Sequence, residues 1–330
     1  MENQTNAILM KSRSASACIK EGYGLYTGKF RKMMAASWHF ALLYALACSA
    51  ICTIMTVSLP KVTAQAMGAD TLQAAMPKGA VAIACAIGVF VIVGGLLEVA
   101  TYSCALAKLK DGFATTATPQ KWWKPAPDRL TFRRTLVATL ACLLIVAVLM
   151  GVFFTPTYLI FGPLSGEPVS NATAAITVGV ETAIIALLTV PLGFVFMKYV
   201  FRTDTHFWRL LASDYPVAMK HFGFVFIVLL VSGIVVFVAE YILALPAFLL
   251  SMANTQANLG VLNGDPLGMP SHITYVSAVV FFIAGFIQVY IRMSVLFTSY
   301  YMYGSIETQE EERRLYKETA KKQALTHNAL

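Results

Sequence analysis

The polar positions of this chain fall between six long apolar stretches, at about residues 36–59, 79–107, 135–154, 173–197, 221–250 and 274–303. Each supplies the ~20 apolar residues that a helix needs to cross a bilayer. The cations are sorted among the gaps. Six Lys/Arg precede the first stretch and two follow it; seven lie from Lys108 to Arg134, none between the third and fourth stretches, four from Lys198 to Lys220, and none between the fifth and sixth. Arg292 lies inside the last stretch, and five more cations follow it. Basic gaps mark the cytoplasmic side of a membrane protein. The pattern predicts an all-α, polytopic membrane helix bundle of six spans with both termini in the cytoplasm.

Within that frame, residues 1–35 form a cytoplasmic N-terminal segment, 36–304 the membrane domain, and 305–330 a charged helical tail. The tail has no Pro or Gly to stop it, and Glu310 with Arg314, and Arg314 with Glu318, stand at the four-residue spacing of helical ion pairs. The outer gaps, near 61–78, 162–172 and 251–271, are too small to fold alone. A basic-aromatic lead precedes each outward span. Tyr26, Phe30, Met33, Met34 and Trp38 interleave with Lys29, Arg31 and Lys32 before the first; Leu130 and Phe132 with Arg133 and Arg134 before the third; Phe207, Leu210, Leu211 and Tyr215 with Arg209, Asp214 and Lys220 before the fifth. Apolar residues at helical spacing opposite a basic face predict helices lying in the cytoplasmic interface. Trp38, Trp122, Trp123 and Trp208 all fall on this side, as interfacial anchors. Lead, outward span, short loop and inward span recur three times, which predicts three hairpins.

The leads at 23–38 and 205–222, the run Leu245-Pro246-Ala247-Phe248, and Tyr300-Tyr301-Met302-Tyr303-Gly304 at the end of the sixth stretch carry a resemblance. In these features the chain resembles six-span bacterial inner-membrane proteins of uncharacterised activity, similar to the membrane domain fused to some glycerophosphodiester phosphodiesterases. The resemblance implies a multi-pass protein of the bacterial inner membrane. It carries no catalytic residue over, because the soluble phosphodiesterase domain has no counterpart in this sequence.

Composition agrees with a membrane chain: 58% of residues are apolar and 13% charged. The net charge of +8 lies almost wholly on the predicted cytoplasmic side, so the expected partner is anionic lipid headgroup rather than nucleic acid. A membrane-protein partner or a second copy of the chain is the other expected contact. The polar, basic first 35 residues contain no separate apolar signal, so the first span is expected to act as its own. Of the six cysteines, Cys18 is expected on the cytoplasmic side, and the other five lie within spans, which predicts no disulfide framework.

Ionisable groups inside spans cost ~2.5–3.5 kcal/mol each at a helix centre and are the candidate site: Glu98, Glu181, Glu240 and Arg292. Counting from flanking charges puts Glu98 and Arg292 at similar depth in the inner leaflet, where they can pair. The same count puts Glu181 and Glu240 in the outer part, where two nearby carboxyls would favour a shared proton. Pro191 and Pro246 are expected to bend their helices, and Pro156 to mark the exit of the third. Ala45 with Ser49, and Ala84 with Gly88, offer small faces for close packing. No zinc helix, nucleophile elbow or phosphate loop is present, and the five histidines lack ligand spacing, so no metal or cofactor is expected. These features favour a non-catalytic membrane module that contacts lipid or another membrane protein. The alternative is a small transporter or lipid-handling protein using the buried carboxylates, and an intramembrane enzyme ranks third.

Overall fold

The computed structural model describes residues 11–67, 80–111, 128–161, 171–202, 204–262, 270 and 272–327. Its elements are α1 (Ala15–Met67), α2 (Ala80–Lys110), α3 (Arg129–Phe161), α4 (Asn171–Thr189), α5 (Leu192–Phe201), α6 (Phe207–Lys220), α7 (Phe222–Leu262) and α8 (His272–His327). Six segments are long and apolar enough to cross a membrane, with α4 and α5 together making the fourth. The chain is therefore a multi-pass membrane helix bundle. Helix is the form such sequences must take, because it satisfies every backbone donor and acceptor within one segment.

The helices outrun the apolar stretches that predicted them. α1 passes from the basic lead into the first span without a break near residue 36 and continues to Met67, inside the gap expected as a loop. The lead at 23–38 is thus part of the first span's own helix, not a separate one in the interface. No glycine or proline separates Lys29 from Trp38, and Met33 is buried with Tyr26 and Phe30 packed on the core. The lead before the third span likewise lies within α3. Only the lead before the fifth span is a helix of its own, α6, and its inner face (Phe207, Leu210, Asp214 and Ala218) is buried. α8 runs through Gly304 to His327.

Proline acts unequally. At Pro191 the missing backbone donor ends α4, and Leu192 starts α5 after a tight turn with Pro191 at φ −63°. Pro246 lies inside the uninterrupted α7, and Pro156 inside α3, which continues to Phe161 rather than exiting there.

α1 and α8 form the antiparallel spine, with α2 and α7 also packed on α1. The register is legible in paired contacts. The Arg13 N–H donates to Ser305 Oγ, Ser37 Oγ lies 3.4 Å from the Tyr290 hydroxyl, and Ser49 Oγ donates to the Ala278 carbonyl at 2.7 Å. Gly22 lies where a Cβ would come within 2.8 Å of Thr298 backbone and side-chain atoms, so only glycine lets the two helices approach there. Ala45 is buried against Gly285, whereas Ala84 and Gly88 are exposed. Cys18, expected to be accessible, is fully buried in this spine.

Burial is concentrated toward one end. Leu106, Leu109, Phe194, Val195, Met197, Val225, Met293, Phe297, Met302 and Ile306 are all essentially closed to solvent. The distal halves of the spans instead present large apolar side chains outward, among them Ile92 on α2, Leu143 and Val152 on α3, Ile176 on α4, Leu249 on α7 and Tyr275 on α8. Surface of that kind is stable only against lipid or another apolar partner.

Candidate functional site

Three helices deliver three of the four intramembrane ionisable groups to one place. Arg292 lies eleven residues before Tyr303 on α8, about 16 Å along the helix. Its Nε donates to Glu240 Oε1 on α7 at 2.6 Å, and Nη2 reaches Glu240 Oε2 at 3.4 Å. Nη1 lies 3.6 Å from Glu98 Oε1 on α2, and the Tyr102 hydroxyl donates to that same oxygen at 2.7 Å. Tyr44 and Cys48 of α1 face the cluster. Two carboxylates share one guanidinium here, and their side chains keep 25% and 21% exposure against 39% for Arg292.

The depth count thus brought Glu98 to Arg292 but misplaced Glu240. α7 starts at Phe222, and Ser232 bonds Thr298 at 3.0 Å, which fixes its register against α8. Glu240 is eight residues beyond Ser232, and Arg292 six residues before Thr298, so on antiparallel helices they fall level. Glu181 is elsewhere: it takes a short hydrogen bond from the Thr157 hydroxyl on α3, and its Oε2 has no hydrogen-bond partner among the described residues. The two carboxyls expected to share a depth have separate partners.

Of the aromatic anchors, Trp38 is half-buried with its ring 3.7 Å from that of His39, and Trp208 is exposed beside Phe207. Trp122 and Trp123 lie outside the described residues. No group of three His, Cys, Asp or Glu among the described residues is placed to hold a metal.

A second charged site, at the packed end, was not foreseen. Lys198 is buried on α5, and its Nζ is 2.5 Å from both Asp214 Oδ1 on α6 and Glu307 Oε1 on α8. Glu307 also takes Arg202 at 3.2 Å, and Ser213 donates to the other Asp214 oxygen at 2.9 Å. Beside them His221 Nε2 lies 2.9 Å from Glu310, which also binds Arg313 at 3.0 Å. Glu310 thus turns to Arg313 and His221 rather than to Arg314, which pairs at 3.9 Å with Glu318. Lys198, Arg202, Asp214, Glu307, Glu310, Arg313 and Arg314 line a cleft of about 510 Å³ together with Lys220, Glu311 and Lys317. The signal in the sequence was Asp214 itself, a carboxylate on the same helical face as Phe207, Leu210 and Ala218. Such a group needs a buried cation. On the side of α6 next to that face, Leu211, Tyr215 and Pro216 border an apolar groove with Ile145, Leu188 and Leu192. The Tyr215 hydroxyl donates to the Leu188 carbonyl at 3.0 Å, and burial raises its pKa.

The fold and these sites define a membrane-spanning helix bundle in which Arg292 is paired with Glu98 and Glu240. Comparison with family models, curated proteins and solved structures returns no match to this chain.

Proposed function

We propose that the chain is a non-catalytic module of the bacterial inner membrane, a subunit or scaffold that holds anionic lipid or another membrane protein. In this reading the spans pair as three hairpins with both termini and the charged cleft on the cytoplasmic side, an orientation that the distribution of Lys and Arg supports. α6 lies there as an interfacial helix. One observation carries the reading: Arg292 engages both Glu240 and Glu98, so the intramembrane charges act as a crosslink between α2, α7 and α8. A proton-coupled transporter would need one of those carboxylates to leave its partner during each cycle. Purification of the intact chain in mild detergent, followed by mass spectrometry of retained lipid and protein, tests this. Enrichment of anionic lipid or of one stoichiometric protein is expected. Retained lipid that matches the bulk membrane, with no protein partner, would overturn the module reading. The small-transporter alternative draws support from the helix break at Pro191. It predicts pH-driven solute uptake into proteoliposomes that Glu240→Gln abolishes.

A further inference from the structure

We propose that the charged cleft between α5, α6 and the end of α8 is a binding site for a phosphoryl group. Its lining holds six Lys or Arg side chains against four carboxylates. The carboxylates are largely committed. Asp214 and Glu307 are held by Lys198, with Arg202 on Glu307, and Glu310 is held by His221 and Arg313. Lys220 and Lys317 make no ion pair among the described residues, and both are exposed. The surplus of two positive charges matches a phosphate monoester or a pair of phosphodiesters. Phosphoryl oxygens accept charge-assisted hydrogen bonds from several donors at once.

The volume, about 510 Å³, lies in the range of small-ligand sites and holds a headgroup or a free phosphate compound. Lys198 is not free to bind the ligand. It is the buried brace that fixes α6 against α8 and so spaces the outer cations. Position supplies the source of the phosphate. The first large apolar side chain exposed on α7 is Ile227, five residues past Phe222 and about 7.5 Å into the helix. The cleft therefore opens where lipid headgroups begin. Only this last step rests on the membrane placement proposed above.

The test uses the intact chain in neutral detergent and isothermal titration calorimetry. The probes are pyrophosphate, dioctanoyl phosphatidylglycerol, and dioctanoyl phosphatidylcholine as the net-neutral control. Saturable binding of at least one anionic probe is expected, weakened about tenfold or more in Lys220→Gln/Lys317→Gln, since two charge-assisted contacts are lost. Glu311→Gln removes a carboxylate from the lining and is expected to tighten binding, a readout that misfolding cannot mimic. The pair Lys29→Gln/Lys32→Gln removes two exposed cations from α1 and is expected to bind as the wild type does. Binding confined to phosphatidylglycerol assigns the headgroup as source, and equal, competitive binding of pyrophosphate assigns a free phosphate compound. The proposal fails if neither anion saturates, if Lys220→Gln/Lys317→Gln binds like wild type, or if the α1 pair loses as much as the cleft pair. None of these outcomes alters the co-purification result, so the two readings fail separately.

Discussion

Replacing Arg292 with methionine removes the cation that Glu98 and Glu240 share, and leaves two carboxylates facing each other at mid-span. Breaking one side of a fully buried ion pair costs ~3–5 kcal/mol, whereas polar pairs in membrane proteins average ~0.6 kcal/mol with a maximum near 1.7. The exposure of these three side chains, 39%, 25% and 21%, excludes the upper limit. Arg292 makes one short pair at 2.6 Å and one long pair at 3.6 Å. The expected loss for Arg292→Met is therefore about 2–3 kcal/mol, the membrane maximum plus a smaller second pair. Glu98→Gln removes only the long pair and restores charge balance, so it is expected to cost under about 1 kcal/mol. The double variant Arg292→Met/Glu240→Gln removes both members of the short pair and is expected to recover about 1 kcal/mol relative to the summed singles. Cys18 and Cys104 are buried, so with the other four cysteines replaced a thiol-reactive fluorophore reports thermal unfolding of the core. At 2–4 °C per kcal/mol, Arg292→Met should melt roughly 4–12 °C lower than wild type. Arg292→Met that melts like wild type, or strict additivity in the Arg292/Glu240 cycle, would refute the crosslink.

The remaining predictions concern the spine, the cleft and the topology. Gly22→Leu forces a side chain into the Thr298 backbone and is expected to destabilise by about 1–3 kcal/mol, measured by the same melt; Gly24→Leu, facing open space, serves as the tolerated control. Truncation after Ile306 removes Glu307 and Glu310, leaves Lys198 with Asp214 alone, and should lower the melting temperature. Truncation after Thr319, which keeps Glu307, Glu310 and the Arg314–Glu318 pair, should not. Membrane-impermeant maleimide should label Lys121→Cys only from the cytoplasmic side and Asn263→Cys only from outside, in a background with the native cysteines replaced; outside labelling at position 121 overturns the topology.

What the sequence made legible followed from the solvent. Hydrocarbon demands helix and about twenty apolar residues per crossing, so the six spans could be counted from composition alone. Where the helices end could not be counted that way. α1 and α8 extend far past their apolar stretches because they pack on each other through Arg13, Gly22 and Ser305, contacts between residues nearly 300 positions apart. Depth counting found Arg292 level with Glu98 because both lie on even-numbered spans, twenty residues after a polar residue at the start of each. It failed for Glu240 because α7 and α8 are 41 and 56 residues long, so that twenty residues counted from opposite ends bring Glu240 and Arg292 to one level. The Lys198 brace was hidden for a similar reason. Lys198 looks like a flanking charge until the turn after Phe201 folds α6 back and brings Asp214 to it. The only local hint was the carboxylate on the apolar face of α6.

The uneven distribution of packing gives the two ends of this molecule different responses to the bilayer itself. At the charged end, interlocked side chains fix the helices relative to one another. In the distal halves much of the apolar surface faces outward, so lipid, rather than neighbouring helix, sets the angle of each segment. A bilayer thinner or thicker than the apolar length is accommodated by helix tilt at a fraction of a kcal/mol per Å. That adjustment falls on the distal halves, where little packing opposes it, while the spacing of Lys198, Asp214 and Glu307 stays unchanged. Acyl-chain length is therefore absorbed at one end of the protein and kept from the other, and the cleft presents the same geometry in membranes of different thickness.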